Sequence, residues 1–71
     1  MMTKQNYAAF AKMFAQRLDD ARTYARHNAD GHIIIATIEA DVQAVSHIFA
    51  GDNPRFDAAR FLTACGVSYK G

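Results

Sequence analysis

Three histidines, one cysteine and a few carboxylates are the residues of this chain whose types could support chemistry. His27, His32 and His47 would be metal ligands if Asp30 or Glu39 joined them. The spacing argues against it. His27 and His32 straddle a helix break near Asn28–Gly31 and so make no i, i+4 pair, while His47 falls in the last turn of a helix, where the macrodipole explains it. Cys65 beside a histidine would be the minimal nucleophile arrangement. Its place at a helix C-terminus disfavours a thiolate, so a small buried apolar residue is expected instead. Ser46 and His47 are adjacent in sequence and diverge on a helix, so they form no dyad. Gly31, Gly51, Gly66 and Gly71 fall at stops or in the tail, which leaves no glycine-rich phosphate loop. The expectation is no catalytic residue, no metal, no cofactor and no enzyme.

Charge is the second source of chemistry. The net value is only +1, but the first 29 residues hold Lys4, Lys12, Arg17, Arg22 and Arg26 against Asp19 and Asp20. The segment from Asp30 to Asp52 holds Asp30, Glu39, Asp41 and Asp52 with no lysine or arginine. A basic first helix and an acidic second helix suit complementary packing, within one chain or across a dimer. Asp41 stands between Ile34 and Ile48 on the shoulder of an apolar face, where a buried carboxylate needs a partner, and Arg17 and Arg60 are the candidates for a structural ion pair. Lys12, Arg22 and Arg26 share a face that could meet an anion or nucleic acid, although Asp19 interrupts it and no base-reading pattern follows. Met13 and Tyr24 lie on another flank, with the adaptable surface of a protein contact. Opposite them Ala8, Ala11 and Ala15 form a strip of small residues that another helix could approach closely.

Those side chains are positioned by helices. Thr3 is a candidate N-cap with Met2 and Tyr7 as a hydrophobic staple, and Tyr7, Phe10, Phe14, Leu18, Ala21 and Ala25 recur at helical steps. The helix is expected to span residues 3–28 and to end on a left-handed cap at Asn28 or Gly31. Ile33, Ile34 and Ile35 have strand-like composition, but Ile34, Ile38, Val42, Val45 and Phe49 keep helical spacing, which predicts a second helix over 32–50 with Asp30 as its cap and Gly51 as its stop. The short connection favours an antiparallel pair. The tail from Ser68 is expected to fray unless Tyr69 folds back.

The third element carries the most complete set of local signals. Asp57 suits an N-cap, Phe56 and Phe61 the two staple positions, and Gly66 with Val67 and Leu62 a Schellman stop, giving a short helix over 58–65. Pro54 fits the turn before it. Two turns do not stand alone in water, so Phe56, Phe61, Leu62 and Cys65 must pack on the hairpin.

The run Asp52, Asn53, Pro54, Arg55, Phe56, Asp57, Arg60, Phe61, Leu62, Ala64, Cys65 and Gly66 resembles the C-terminal end of small uncharacterised phage and prophage proteins that finish in a DNPRFDxxRFLxACG-like pattern. The resemblance covers about a quarter of the chain. It implies a phage origin and action in the bacterial cytoplasm, and transfers no activity to any residue.

The expected architecture is therefore all-α, a helical hairpin closed by a short third helix in one domain. At 71 residues, with 51% apolar residues and a single cysteine that rules out an intrachain disulfide, such a domain gains by self-association, a dimer above all. No stretch is expected to span a bilayer, and the start lacks the apolar run of a signal peptide. The favoured function is a non-catalytic protein-binding module, an inhibitor that occupies the surface of a host defence or enzyme complex. The alternatives are a nucleic-acid-binding regulator or a sponge for a small anionic ligand, both using Lys12, Arg22 and Arg26, the sponge adding Tyr7 or Tyr24.

Overall fold

In the computed structural model, which describes residues 3–67, Thr3 opens the first helix, α1 (Lys4–Ala25). The Thr3 hydroxyl accepts from the Asn6 backbone N–H at 3.3 Å, and the Asn6 side-chain oxygen accepts from the Thr3 N–H at 3.0 Å. This reciprocal box satisfies two N–H groups that the helix itself cannot. The proposed Met2 staple and the fate of Tyr69 lie outside the described residues.

α1 stops at Ala25, three residues short of the expected end, and no residue of the following turn is left-handed. Side chains do the stopping instead. The Asn28 amide donates to the Tyr24 carbonyl at 2.9 Å, and the Tyr24 hydroxyl donates to the Asp30 carboxylate at 3.1 Å. Asp30 therefore holds the turn and does not cap the second helix with its side chain, as had been expected. Gly31 has a different reason to be glycine. A Cβ there would lie 2.4 Å from the Ala25 Cβ, so the chain can fold back this tightly only without a side chain.

α2 (Gly31–Asp52) is helical through Ile33, Ile34 and Ile35, so periodicity prevails over β-branching. It continues through Gly51 and ends at Asn53, whose N–H reaches the Phe49 carbonyl at 2.9 Å. The Asn53 carbonyl accepts from the Phe56 N–H at 3.0 Å and its side chain from the Arg55 N–H at 3.0 Å, closing a turn around Pro54. α3 (Ala58–Ala64) follows with every expected signal in place. Asp57 accepts from the Arg60 N–H at 3.1 Å, and the Phe56 and Phe61 rings lie 5.4 Å apart. Gly66 has φ +87°, the Gly66 N–H reaches Thr63, and the Val67 N–H returns to Leu62 at 2.9 Å. That pair of bonds is a Schellman stop.

The fold is all-α, with α1 and α2 packed as a hairpin and α3 touching both. Leu18, Val42 and Cys65 are fully buried at its centre, joined by Ala11, Phe49, Phe61, Leu62 and Val67. Phe49 is the hub of an aromatic cluster, with centroids 5.1 Å from Tyr7, 5.4 Å from Phe10, 5.6 Å from Phe56 and 5.5 Å from Phe61.

Three sequence expectations are corrected by this packing. Phe10 and Ile34 are exposed, not core; Ile35 takes the half-buried place in α2 that Ile34 was expected to fill. Asp41 lies between Ile34 and Ile48 as expected, but that shoulder is open and its carboxylate is exposed, so it needs no buried partner. Finally, α2 is long and apolar enough to cross a membrane by length and composition, and only 17% of that apolar stretch is buried. The carboxylates Glu39 and Asp41 oppose insertion, since an aspartate at mid-bilayer costs about 2.5–3.5 kcal/mol.

Candidate functional site

α3 covers one side of the hairpin only. It lies along the alanine strip of α1, where Lys4, Tyr7, Ala8, Phe56, Arg60 and Phe61 contribute to a groove of about 360 Å³. At the far end of the same side the Arg22 guanidinium donates to the Gly66 carbonyl at 2.9 Å. Ala8, Ala11 and Ala15 thus leave room for α3, the plain packing explanation of that strip. Arg22 caps the end of α3 with a cation, where the negative end of the dipole favours one.

The other side of the hairpin has no covering element among the described residues. At about 100° per residue, Phe10, Met13 and Tyr24 lie on the flank of α1 away from Ala8 and Ala15. In α2 the matching flank is that of Ile34, Asp41 and Ile48. Because the helices run antiparallel, these flanks face the same way. Phe10, Met13, Tyr24, Ile34 and Ile48 are all exposed, Ile48 at 68%, while Ile33 points elsewhere at the back of α2. Ile38 and Val45 are half-buried beside them and pack on the core.

This open face is banded. Phe10, Arg17 and Tyr24 follow seven-residue steps on α1, and Ile34, Asp41 and Ile48 do the same on α2. The Phe10–Phe49 ring contact and the Tyr24–Asp30 hydrogen bond set the register of the two helices. That register puts Phe10 level with Ile48, Arg17 with Asp41, and Tyr24 with Ile34. Apolar ends therefore flank a central band of opposite charges.

Of the three cations expected to bind an anion, Lys12 stands well apart from Arg22 and Arg26. Arg22 is engaged with Gly66, and Lys12 and Arg26 are exposed but fourteen residues apart, about 21 Å along the helix. No single small anion can bridge them. Arg60 is exposed and lines the α3 groove, and Asp41, Arg17 and Arg60 are not joined by hydrogen bonds among the described residues. His32 is tied by its ring Nδ1 to the Ala29 carbonyl at 2.8 Å. Among the described residues no group of three or more His, Cys, Asp or Glu side chains is arranged to hold a metal ion.

Cys65 is fully buried, and that burial pushes its thiol up to about 11. It is a neutral packing group at neutral pH. A folded-state value raised above the ordinary 9.0 means that its contribution to stability is full below about pH 9 and is lost as pH rises through about 11. Urea midpoints are expected to be flat from pH 7 to about 9 and then fall, and Cys65→Ala is expected to flatten that fall. Native alkylation by iodoacetamide at neutral pH should proceed only as fast as local opening.

Sequence reasoning named Met13 and Tyr24 as a contact flank but missed Phe10 and Ile34 beside them, because it placed both in the apolar stripes that face the core. The usable signal was the width of the apolar arc on α2, which exceeds what one neighbouring helix and a two-turn helix can cover. Comparison with protein-family models, with curated proteins and with solved structures returned no match.

Proposed function

We propose that the protein is a non-catalytic binding module that works through the open face of its hairpin by covering the surface of another protein. The observation carrying this reading is the gathering of Phe10, Met13, Tyr24, Ile34 and Ile48, all exposed, on the side that α3 leaves bare. A gathering of exposed apolar side chains on one face is a usual mark of a protein contact. Aromatic residues and methionine supply such a contact with area and adaptability. The resemblance of the segment from Asp52 to Gly66 to phage proteins supports action in the cytoplasm of an infected bacterium, as an inhibitor that occupies a host defence or enzyme complex. The anion and nucleic-acid readings lose support because Arg22 serves the fold.

The test is affinity capture with matched surface variants. Met13→Asp, in the open face, is expected to lower binding of a captured protein at least tenfold, or by more than about 1.4 kcal/mol. Arg26→Glu, outside it, is expected to leave binding within about twofold. The opposite pattern, together with strong salt dependence, would move the protein to the anion-binding class.

A further inference from the structure

The open face is built to accept itself. We infer that its resident partner is a second copy of this chain, docked face to face about a twofold axis parallel to the helices, so that α1 of each copy lies over α2 of the other. The inference rests on the reading of this face as a protein-docking surface, and names the occupant.

Charge pattern selects the arrangement. Two copies of a two-helix face can meet about an axis along the helices or about one across them, and each makes a closed pair in which residue i meets j and j meets i. With the axis across the helices, α1 would lie over α1, placing Arg17 on Arg17 and Asp41 on Asp41. With the axis along the helices, every residue stays at its own level and meets the other helix. Arg17 then faces the second copy's Asp41, twice, while Phe10 faces Ile48 and Tyr24 faces Ile34. The charged band becomes two ion pairs shielded by apolar contacts at both ends, and opposite charges juxtaposed in this way set register and partner choice. The result is an antiparallel four-helix core, with both α3 helices on the outer sides.

The dimensions fit. Two helices about 10 Å wide and about 33 Å long give a footprint of about 650 Å², close to the roughly 800 Å² per partner of an ordinary stable interface. The Cα radius of gyration, 12.7 Å, exceeds the roughly 11 Å of a compact 71-residue globule, as suits half of a larger core.

The experiment uses the full chain and charge reversal in trans. Arg17→Asp leaves one copy with two acidic groups in the band, and Asp41→Arg leaves one with two basic groups. Each variant alone is expected to weaken the homodimer at least about tenfold by sedimentation equilibrium. Their equimolar mixture is expected to form a mixed dimer, resolved by native mass spectrometry, as tightly as wild type. A pair confined to one chain could not produce that rescue. Both side chains are exposed, so helicity by circular dichroism is expected to be unchanged. Oxidation is expected to cross-link Phe10→Cys of one copy to Ile48→Cys of another, and not to Tyr24→Cys. Wild type that remains monomeric to about 1 mM, or a mixture no tighter than its components, overturns the inference. So does a monomer that co-sediments with phosphatidylethanolamine–phosphatidylglycerol vesicles, which would assign the face to a membrane. A monomer that loses capture of a different protein on Met13→Asp overturns the dimer and leaves the docking function intact. A dimer with the expected charge rescue, alongside a capture that ignores Met13→Asp, sinks the docking function for other proteins and leaves the dimer.

Discussion

Phe49→Ala is expected to unfold the protein at room temperature, with loss of most far-ultraviolet helicity in the absence of denaturant. The ring is the meeting point of all three helices: it touches Tyr7 and Phe10 from α1, Phe56 from the turn before α3, and Phe61 from α3. Truncating a buried Phe to Ala costs about 3–5 kcal/mol, which already includes the cavity it leaves. A core in a chain of this size supplies little more than that, about 3–5 kcal/mol in total. The consequence should be loss of cooperative unfolding, and not a modest shift in midpoint. Phe49→Leu, which keeps most of the volume, is expected to retain a sigmoidal urea transition at a lower midpoint. If Phe49→Ala unfolded within about 1 kcal/mol of wild type, the aromatic hub would not be the centre of the core.

Gly31→Ala is the second large expected effect, and its sign opposes helix propensity. Gly31 is the first residue of α2, and alanine favours a helix interior by about 0.8–1 kcal/mol over glycine. Against that gain, the new methyl would stand 2.3 Å from the Ala25 Cα and 2.4 Å from its Cβ. Neither atom is the end of a flexible side chain, so the α1–α2 turn has to open. Forcing atoms into such a contact costs about 1–3 kcal/mol or more, and the net expectation is a destabilisation of about 2 kcal/mol. Gly51→Ala supplies the control. It is also helical, but a Cβ there meets nothing within 4 Å, so propensity should act alone and stabilise by about 0.5–1 kcal/mol. Opposite shifts in thermal midpoint for the two variants would confirm that close approach, and not helix content, is what Gly31 provides.

The open face ties these stabilities to the proposed docking. A chain that leaves Phe10, Ile34 and Ile48 in water forgoes burial that a core of this size could use. Covering them would add stability that rises with concentration by mass action, so the melting temperature of the wild-type chain should depend on protein concentration if the proposed pairing holds.

The sequence by itself determined the helical period and the caps and stop that a few neighbouring residues complete without help. Thr3 and Asp57 cap helices, Phe56 staples to Phe61, and Gly66 stops α3, because each involves groups that the chain places together without tertiary help. The helical period carried through Ile33–Ile35 for the same reason. The C-terminal ends of α1 and α2 were not legible, although their signals also lie close in sequence. Asn28 and Gly51 were misread because α1 ends on side-chain bonds from Asn28 and Tyr24, and α2 runs on past a glycine that nothing forces to turn.

Tertiary structure alone decided which apolar residues became core and which became surface. Ile34 and Ile35 are the same residue type one position apart, and the hairpin half-buries one and leaves the other out. It also decided that Arg22 caps α3 across 44 residues of sequence, and that Asp41 meets solvent. The reason is geometric. A helix presents its whole circumference to the sequence pattern, but only the neighbours it finally meets can choose which arc is dry. With one long neighbour and α3 on a single side, the remaining arc of α2 stays open, and that arc is where the candidate function lies.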